Sequence, residues 1–332
     1  MERKADIRTI HRLYQEGLLN EKAFDAACRI LRPSTAWFAW ANHMLLFFGS
    51  TLVLAGIVFF FAYNWSSMGK FLKFGLIEFG IAACVAVSYI RGTDRLSGKV
   101  LILSSSVLAG VLLAVYGQIY QTGADAFELF RGWAILILPW VVLSEFAALW
   151  VLWLIITNAG IILYWQQVGY PNHSLSYETL FMTIALLNGL FLILREKALI
   201  KGLDWLRGRW LRITLLLAVL VPLSVPTILL ILERNRTIIM ILTAFIWTAA
   251  SISGYICYRF RLRDMTSLSI IVMNVCIILL ALTGKLLFEI IGSDAAASLL
   301  FALIILGVAS GAAVRLRKIK AAMTDEMEGD NV

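Results

Sequence analysis

Residues 132–165 read GWAILILPWVVLSEFAALWVLWLIITNAGIILYW, an apolar run of 34 positions interrupted only by Ser144-Glu145-Phe146. As one helix, at about 1.5 Å per residue, this run would reach roughly 50 Å. A crossing of about 30 Å of hydrocarbon needs only roughly 20 residues. The stretch is too long for one crossing and predicts two, joined by a tight helical hairpin that turns at Glu145.

Working outward, the same length rule finds apolar spans at 44–64, 71–90, 100–119, 127–143, 147–165, 179–194, 211–232, 237–258, 267–284 and 295–314. The 332-residue chain is 61% hydrophobic and 15% charged, with a mean hydropathy of +0.84. A soluble domain carries about 25% charged residues, so the surplus apolar surface requires lipid as its solvent. The expected fold class is all-α, a polytopic integral membrane helix bundle of about ten transmembrane helices with a small N-terminal cytoplasmic helical hairpin. Segments follow as 1–43, the hairpin and pre-span stretch; 44–194, a first bundle of six spans; 195–210, a basic interfacial linker; 211–314, a second bundle of four spans; and 315–332, a cytoplasmic tail.

Charge supports the count. With ten spans and the N-terminus inside, the inner segments hold 23 of the 29 Lys and Arg residues. Fusing the two halves of 132–165 would move Arg195–Arg212, Arg259–Arg263 and the C-terminal basic cluster to the other side. Basic residues favour the cytoplasmic side of short loops. The expected topology therefore places both termini on the cytoplasmic side of the membrane. The net charge of +8, gathered on one face, points to anionic lipid headgroups rather than to nucleic acid.

In the head, Ile7, Ile10, Leu13 and Tyr14 repeat at helical spacing, as do Phe24, Ala27, Cys28 and Leu31. Gly17 separates the two helices, and Asn20 is placed to cap the second. Thirty-odd residues cannot bury a core alone, so residues 1–32 are expected to pack on inner loops, on a second copy of the chain, or on a protein partner. In 195–212, six basic residues interleave with Leu199, Ile200, Leu203, Trp205 and Trp210. That pattern suits a helix lying in the membrane interface.

Ionisable groups inside spans are costly and mark candidate sites. Glu78 is the deepest, needing protonation, water or a partner from another helix, while Lys73 lies close enough to the surface to snorkel. Lys285 and Glu289, four apart, are expected to pair. Asn158, Asn188 and Asn274 read as interhelical glue, and Gly307 and Gly311 as a small-residue packing face. Pro222 and Pro226 predict a kinked or broken seventh span, a device that exposes backbone to ions in transporters.

The most distinctive polar stretch is Gly117-Gln118-Ile119-Tyr120-Gln121-Thr122-Gly123-Ala124-Asp125, where the third span meets outer water. Phe61-Ala62-Tyr63-Asn64-Trp65 ends the first span on the same side. These stretches suit either a small site or a hydrogen-bonded plug. Together with Leu138-Pro139-Trp140 and the N-terminal hairpin, they resemble the bacterial multi-span membrane family named domain of unknown function 2157, chiefly over residues 1–165. The resemblance implies an inner-membrane location and no reaction. It marks Asn64, Gln118, Tyr120, Gln121, Thr122 and Asp125 as positions to watch.

Three functions are open at this point, and the first of them is the leading expectation. Transport or permeation of a small solute, ion or lipid draws on Glu78, the prolines and the polar outer mouth. A non-transporting scaffold or sensor would use the cytoplasmic head. A membrane-embedded enzyme is the third. His11, His43 and His173 are scattered, and neither an H-E-x-x-H nor a G-x-S-x-G motif occurs, so no catalytic residue, metal site or cofactor is expected. Asp125 and Glu128 are the nearest approach to paired carboxylates, and read as charges at a helix N-terminus.

Overall fold

The structure is a computed structural model. It describes residues 13–31, 65–172, 175–292 and 295–329 continuously, with isolated positions between 10 and 63. The predicted first span, Asn64 included, lies outside the described residues but for those isolated positions. The chain divides into two compact units, Met1–Lys73 and Phe74–Val332.

In the first unit the chain turns at Gly17, whose φ of +72° belongs to the left-handed region that glycine adopts without a Cβ penalty. Its N–H donates to the carbonyl of Tyr14 at 3.1 Å. Asn20 caps helix α1 (Glu21–Leu31), its Oδ1 accepting from the N–H of Ala23 at 2.8 Å. Across the turn the rings of Tyr14 and Phe24 stand 4.5 Å apart. Lys73 Nζ lies 5.2 Å over the Trp65 ring.

Helices α2 (Lys70–Arg91), α3 (Leu96–Tyr120), α4 (Ala126–Leu143), α5 (Ala147–Tyr164), α6 (Tyr177–Ile200), α7 (Arg209–Leu232), α8 (Ile238–Ile256), α9 (Met265–Ile291) and α10 (Ala295–Gly329) follow. Among the described residues all regular structure is helical, and nine helices are long and apolar enough to cross a membrane. Short π turns extend α5 over Trp165–Gly169 and α8 over Cys257–Arg261.

The run at 132–165 is a hairpin. α4 stops at Leu143 and α5 starts at Ala147, with Glu145 between them at φ +45°. Lys99 Nζ donates to the Glu145 carbonyl at 3.1 Å and ties α3 to that turn. α3 and α4 meet through small residues. At Gly110 an added Cβ would lie 2.3 Å from the Trp133 ring, and the indole N–H groups of Trp133 and Trp140 donate to the carbonyl and the hydroxyl of Ser106, each at 2.8 Å. Trp153 on α5 donates to the carbonyl of Ala134 on α4 at 3.0 Å. Ile137, Val141, Leu149 and Ile156 fill the core between them.

In the second half α7 is the hub, packed against α6, α8 and α9, and it is the most buried of the candidate spans. It is not broken at Pro222 or Pro226: the helix runs uninterrupted from Arg209 to Leu232. Neighbouring helices on three sides hold it in place where an isolated span would lose hydrogen bonds. The basic stretch 195–212 likewise differs from the expected single interfacial helix. α6 continues to Ile200, Gly202 turns the chain at φ +86°, Asp204–Leu206 forms one 3₁₀ turn, and α7 begins at Arg209. The predicted tail is also helical, since α10 carries on through Arg315–Lys320 to Gly329, with Met323 buried against Tyr258, Leu268 and Ile271.

Candidate functional site

The polar motif begins in the last turn of α3. Gln121 ends that helix in the left-handed conformation, φ +43°, and Gly123 follows at φ +65°. Two successive reversals fold 121–125 back toward α4 and leave a cleft of about 570 Å³. Gly117, Gln121, Thr122, Asp125 and Glu128 line it, with Leu113 and Leu129 on its apolar wall. The structure therefore brings Gln121, Thr122 and Asp125 together. Gln118 is exposed and does not line the cleft. Tyr120 instead joins an aromatic group with Phe74 and Tyr116, its ring 6.1 Å from Phe74 and 4.8 Å from Tyr116.

The carboxylates here behave as helix-end charges. Asp125 is the N-cap of α4, and Glu128 stands in its first turn, 3.9 Å from Arg131. One of the free N–H groups at that helix start, Phe127, donates to Gln167 Oε1 at 3.1 Å, and the rings of Phe127 and Tyr164 meet edge-on at 5.2 Å. Gln167, in the π turn after α5, thus ties two helix ends together. The sequence offered no sign of this, because the contact depends on a register shift that only the π turn supplies.

Deeper in the bundle, amides pair with one another. Asn158 on α5 and Asn188 on α6 exchange hydrogen bonds, at 3.3 and 3.0 Å, and Asn188 also donates to the Ile184 carbonyl. Asn274 on α9 accepts from the Trp247 indole at 2.7 Å and donates to Ser224 at 2.8 Å. Ser224 sits between the two prolines and its hydroxyl donates to the Leu220 carbonyl. Lys285 and Glu289 pair at 3.6 Å, and Lys285 also caps the end of α7 through the Ile231 carbonyl at 2.6 Å. Glu78 stands on the exposed side of α2, and no side chain among the described residues pairs with it. Gly307 and Gly311 also face open space.

At the opposite end from the motif lies a cluster that sequence reasoning missed. Arg195 is almost fully buried; its Nη1 donates to Glu196 at 2.6 Å and its Nη2 to the Gly208 carbonyl at 3.2 Å. Glu196 also accepts from Arg212 at 3.0 Å. Arg212 then reaches Asp264 at 2.9 Å and lies 5.6 Å over the Tyr258 ring. Asp264 caps α9, accepting from Ser267 at 2.7 Å and from the Thr266 N–H at 3.1 Å. Burial by itself would raise this carboxyl. The hydrogen bonds from Ser267 and Arg212, the Thr266 N–H and the Arg212 charge outweigh it and hold Asp264 below the ordinary carboxylate range. Two arginines and two carboxylates balance, so the cluster is neutral and closes three helix ends. Asp264 and Glu196 look like ordinary polar-break residues in sequence, and only the approach of α6, α7 and α9 makes them partners. Among the described residues no group of His, Cys, Asp and Glu could hold a metal.

Residues 11–150 match the model of the family described as predicted membrane protein (DUF2157), the family that the outer motif resembles. That match includes the motif and the 132–150 part of the hairpin run, and stops short of the Arg212 cluster. No curated protein and no solved structure gives a match.

Proposed function

We propose that the chain is a non-transporting membrane scaffold or sensor, sealed by polar pairs inside its bundle and reading the cytoplasmic side through residues 1–32 and its basic helix ends. The observation that carries this is the pairing of intramembrane polar groups. Asn158 pairs with Asn188, and Asn274 with Trp247 and Ser224, so these groups satisfy one another inside the bundle. Such bonds hold helices together at about 0.6 kcal/mol each. The same reading puts both termini in the cytoplasm of a bacterial inner membrane, since the basic residues concentrate at one end.

A transport reading rests on a different observation, the cleft lined by Gln121, Thr122 and Asp125. The two part in sealed vesicles. Reconstituted in phosphatidylcholine vesicles containing phosphatidylglycerol, the scaffold gives proton and potassium leak equal to that of empty vesicles, and Glu78→Gln changes nothing. A protein-dependent flux that Glu78→Gln or Asp125→Asn abolishes would replace this reading with transport.

A further inference from the structure

A groove of about 800 Å³ opens between α6 and α8, with Leu216, Val219 and Leu220 of α7 as its floor. On α6 its wall runs along one helical face from Gly189 to Ile200. At 1.5 Å per residue that is about 16 Å, the depth of one leaflet of a roughly 30 Å hydrocarbon core. On α8 the facing wall is Ile246 followed by the small residues Ala249, Ala250 and Ser253. Apart from Ser253 it is lined by apolar residues up to its mouth, where Glu196, Lys197 and Arg261 take over.

The charges at the mouth are uneven. Glu196 already holds Arg195 and Arg212 at 2.6 and 3.0 Å, inside the neutral cluster. Lys197 and Arg261 are exposed, and no carboxylate among the described residues pairs with them. A one-leaflet apolar groove ending in two uncompensated cations matches a lipid with a negative head: acyl chain in the groove, phosphate at Lys197 and Arg261. We infer that the α6–α8 groove is a binding site for one anionic phospholipid. This deepens the proposal that the basic end meets the cytoplasmic leaflet and rests on it.

The test uses the full chain purified in detergent, with phosphatidylglycerol or phosphatidylcholine added, and native mass spectrometry to count retained lipid. Wild type should retain one phosphatidylglycerol under activation that strips phosphatidylcholine. Lys197→Gln with Arg261→Gln should lower that retention roughly thirtyfold, on the scale of two lost basic contacts. Ala249→Phe, which fills the groove and leaves the charges alone, should lower it as well. Equal retention of the two lipids by wild type, or unchanged retention in either variant, overturns the site. Should a variant not elute as a folded protein, competition on wild type decides. Displacement of the bound lipid by excess phosphatidylglycerol but not phosphatidylcholine upholds the site, and displacement by both overturns it. Vesicle flux would overturn the scaffold reading without touching lipid retention, so the two failures are distinguishable.

Discussion

Arg212 and Asp264 lie 52 positions apart in sequence and meet at 2.9 Å, the guanidinium of one helix start against the N-cap carboxylate of another. Glu196 takes the other side of the same guanidinium, so one side chain joins α6, α7 and α9 where each leaves the apolar bundle.

Removing that side chain takes from Asp264 the cation 2.9 Å away and leaves Glu196 with Arg195. Arg212→Ala should destabilise the purified chain by about 3–5 kcal/mol, the usual cost of breaking a buried pair from one side. Asp264→Asn in the same background should add far less than it costs alone, since the partners are coupled. Unfolding by SDS in mixed micelles reads both values. Strict additivity would show that the contact contributes nothing.

The same carboxylate sets an acid limit. Its folded value lies below its unfolded value of about 3.9, so the stability it contributes is fully present above about pH 4 and is lost as pH falls through the folded value. The stability difference between wild type and Asp264→Asn should stay constant from pH 5 to 8 and shrink below about pH 4. A difference that varies between pH 6 and 8 would assign the effect to another group.

The α3–α4 contact depends on a missing side chain. At Gly110 a Cβ would stand 2.3 Å from the Trp133 ring, and Trp133 is held in place by its bond to the Ser106 carbonyl. Gly110→Ala should cost about 1–3 kcal/mol by overpacking. Gly307→Ala, facing open space, should be neutral within experimental error. Equal effects at the two glycines would contradict the packing described.

Orientation can be read chemically. In a variant whose native cysteines are replaced by serine, Arg317→Cys should react with a membrane-impermeant maleimide only in inside-out vesicles. Thr122→Cys should react only from the outer side. Labelling of both from the same side would overturn the inside placement of the basic end.

Much of the fold was legible because lipid imposes simple rules. The hairpin at Glu145, the paired Lys285 and Glu289, and the Asn20 cap each depend on spacing within a few residues. Asn158, Asn188 and Asn274 were readable as glue, though not which partner each would take. The uninterrupted passage of α7 through Pro222 and Pro226 was not legible, since proline predicts a break when its neighbours are unknown. Nor was the split of 195–212 at Gly202: its basic and apolar spacing suits an interfacial helix, yet Arg195 turns inward to Glu196. In the motif, Gln121, Thr122 and Asp125 converge on one cleft while Gln118 and Tyr120 do not, because the left-handed turn at Gln121 reverses the chain between them.

Sequence by itself determined that the chain crosses the membrane, how its apolar runs divide, and at which end its basic residues collect. Those properties follow from hydrocarbon thickness, helix rise and the cost of moving charge, all local in the chain. Tertiary structure alone decided that Arg195, Glu196, Arg212 and Asp264 share one neutral cluster, and that α6 and α8 leave a leaflet-deep groove beside it. Both depend on helices far apart in sequence coming within a side chain's reach, and periodicity carries no information about that distance.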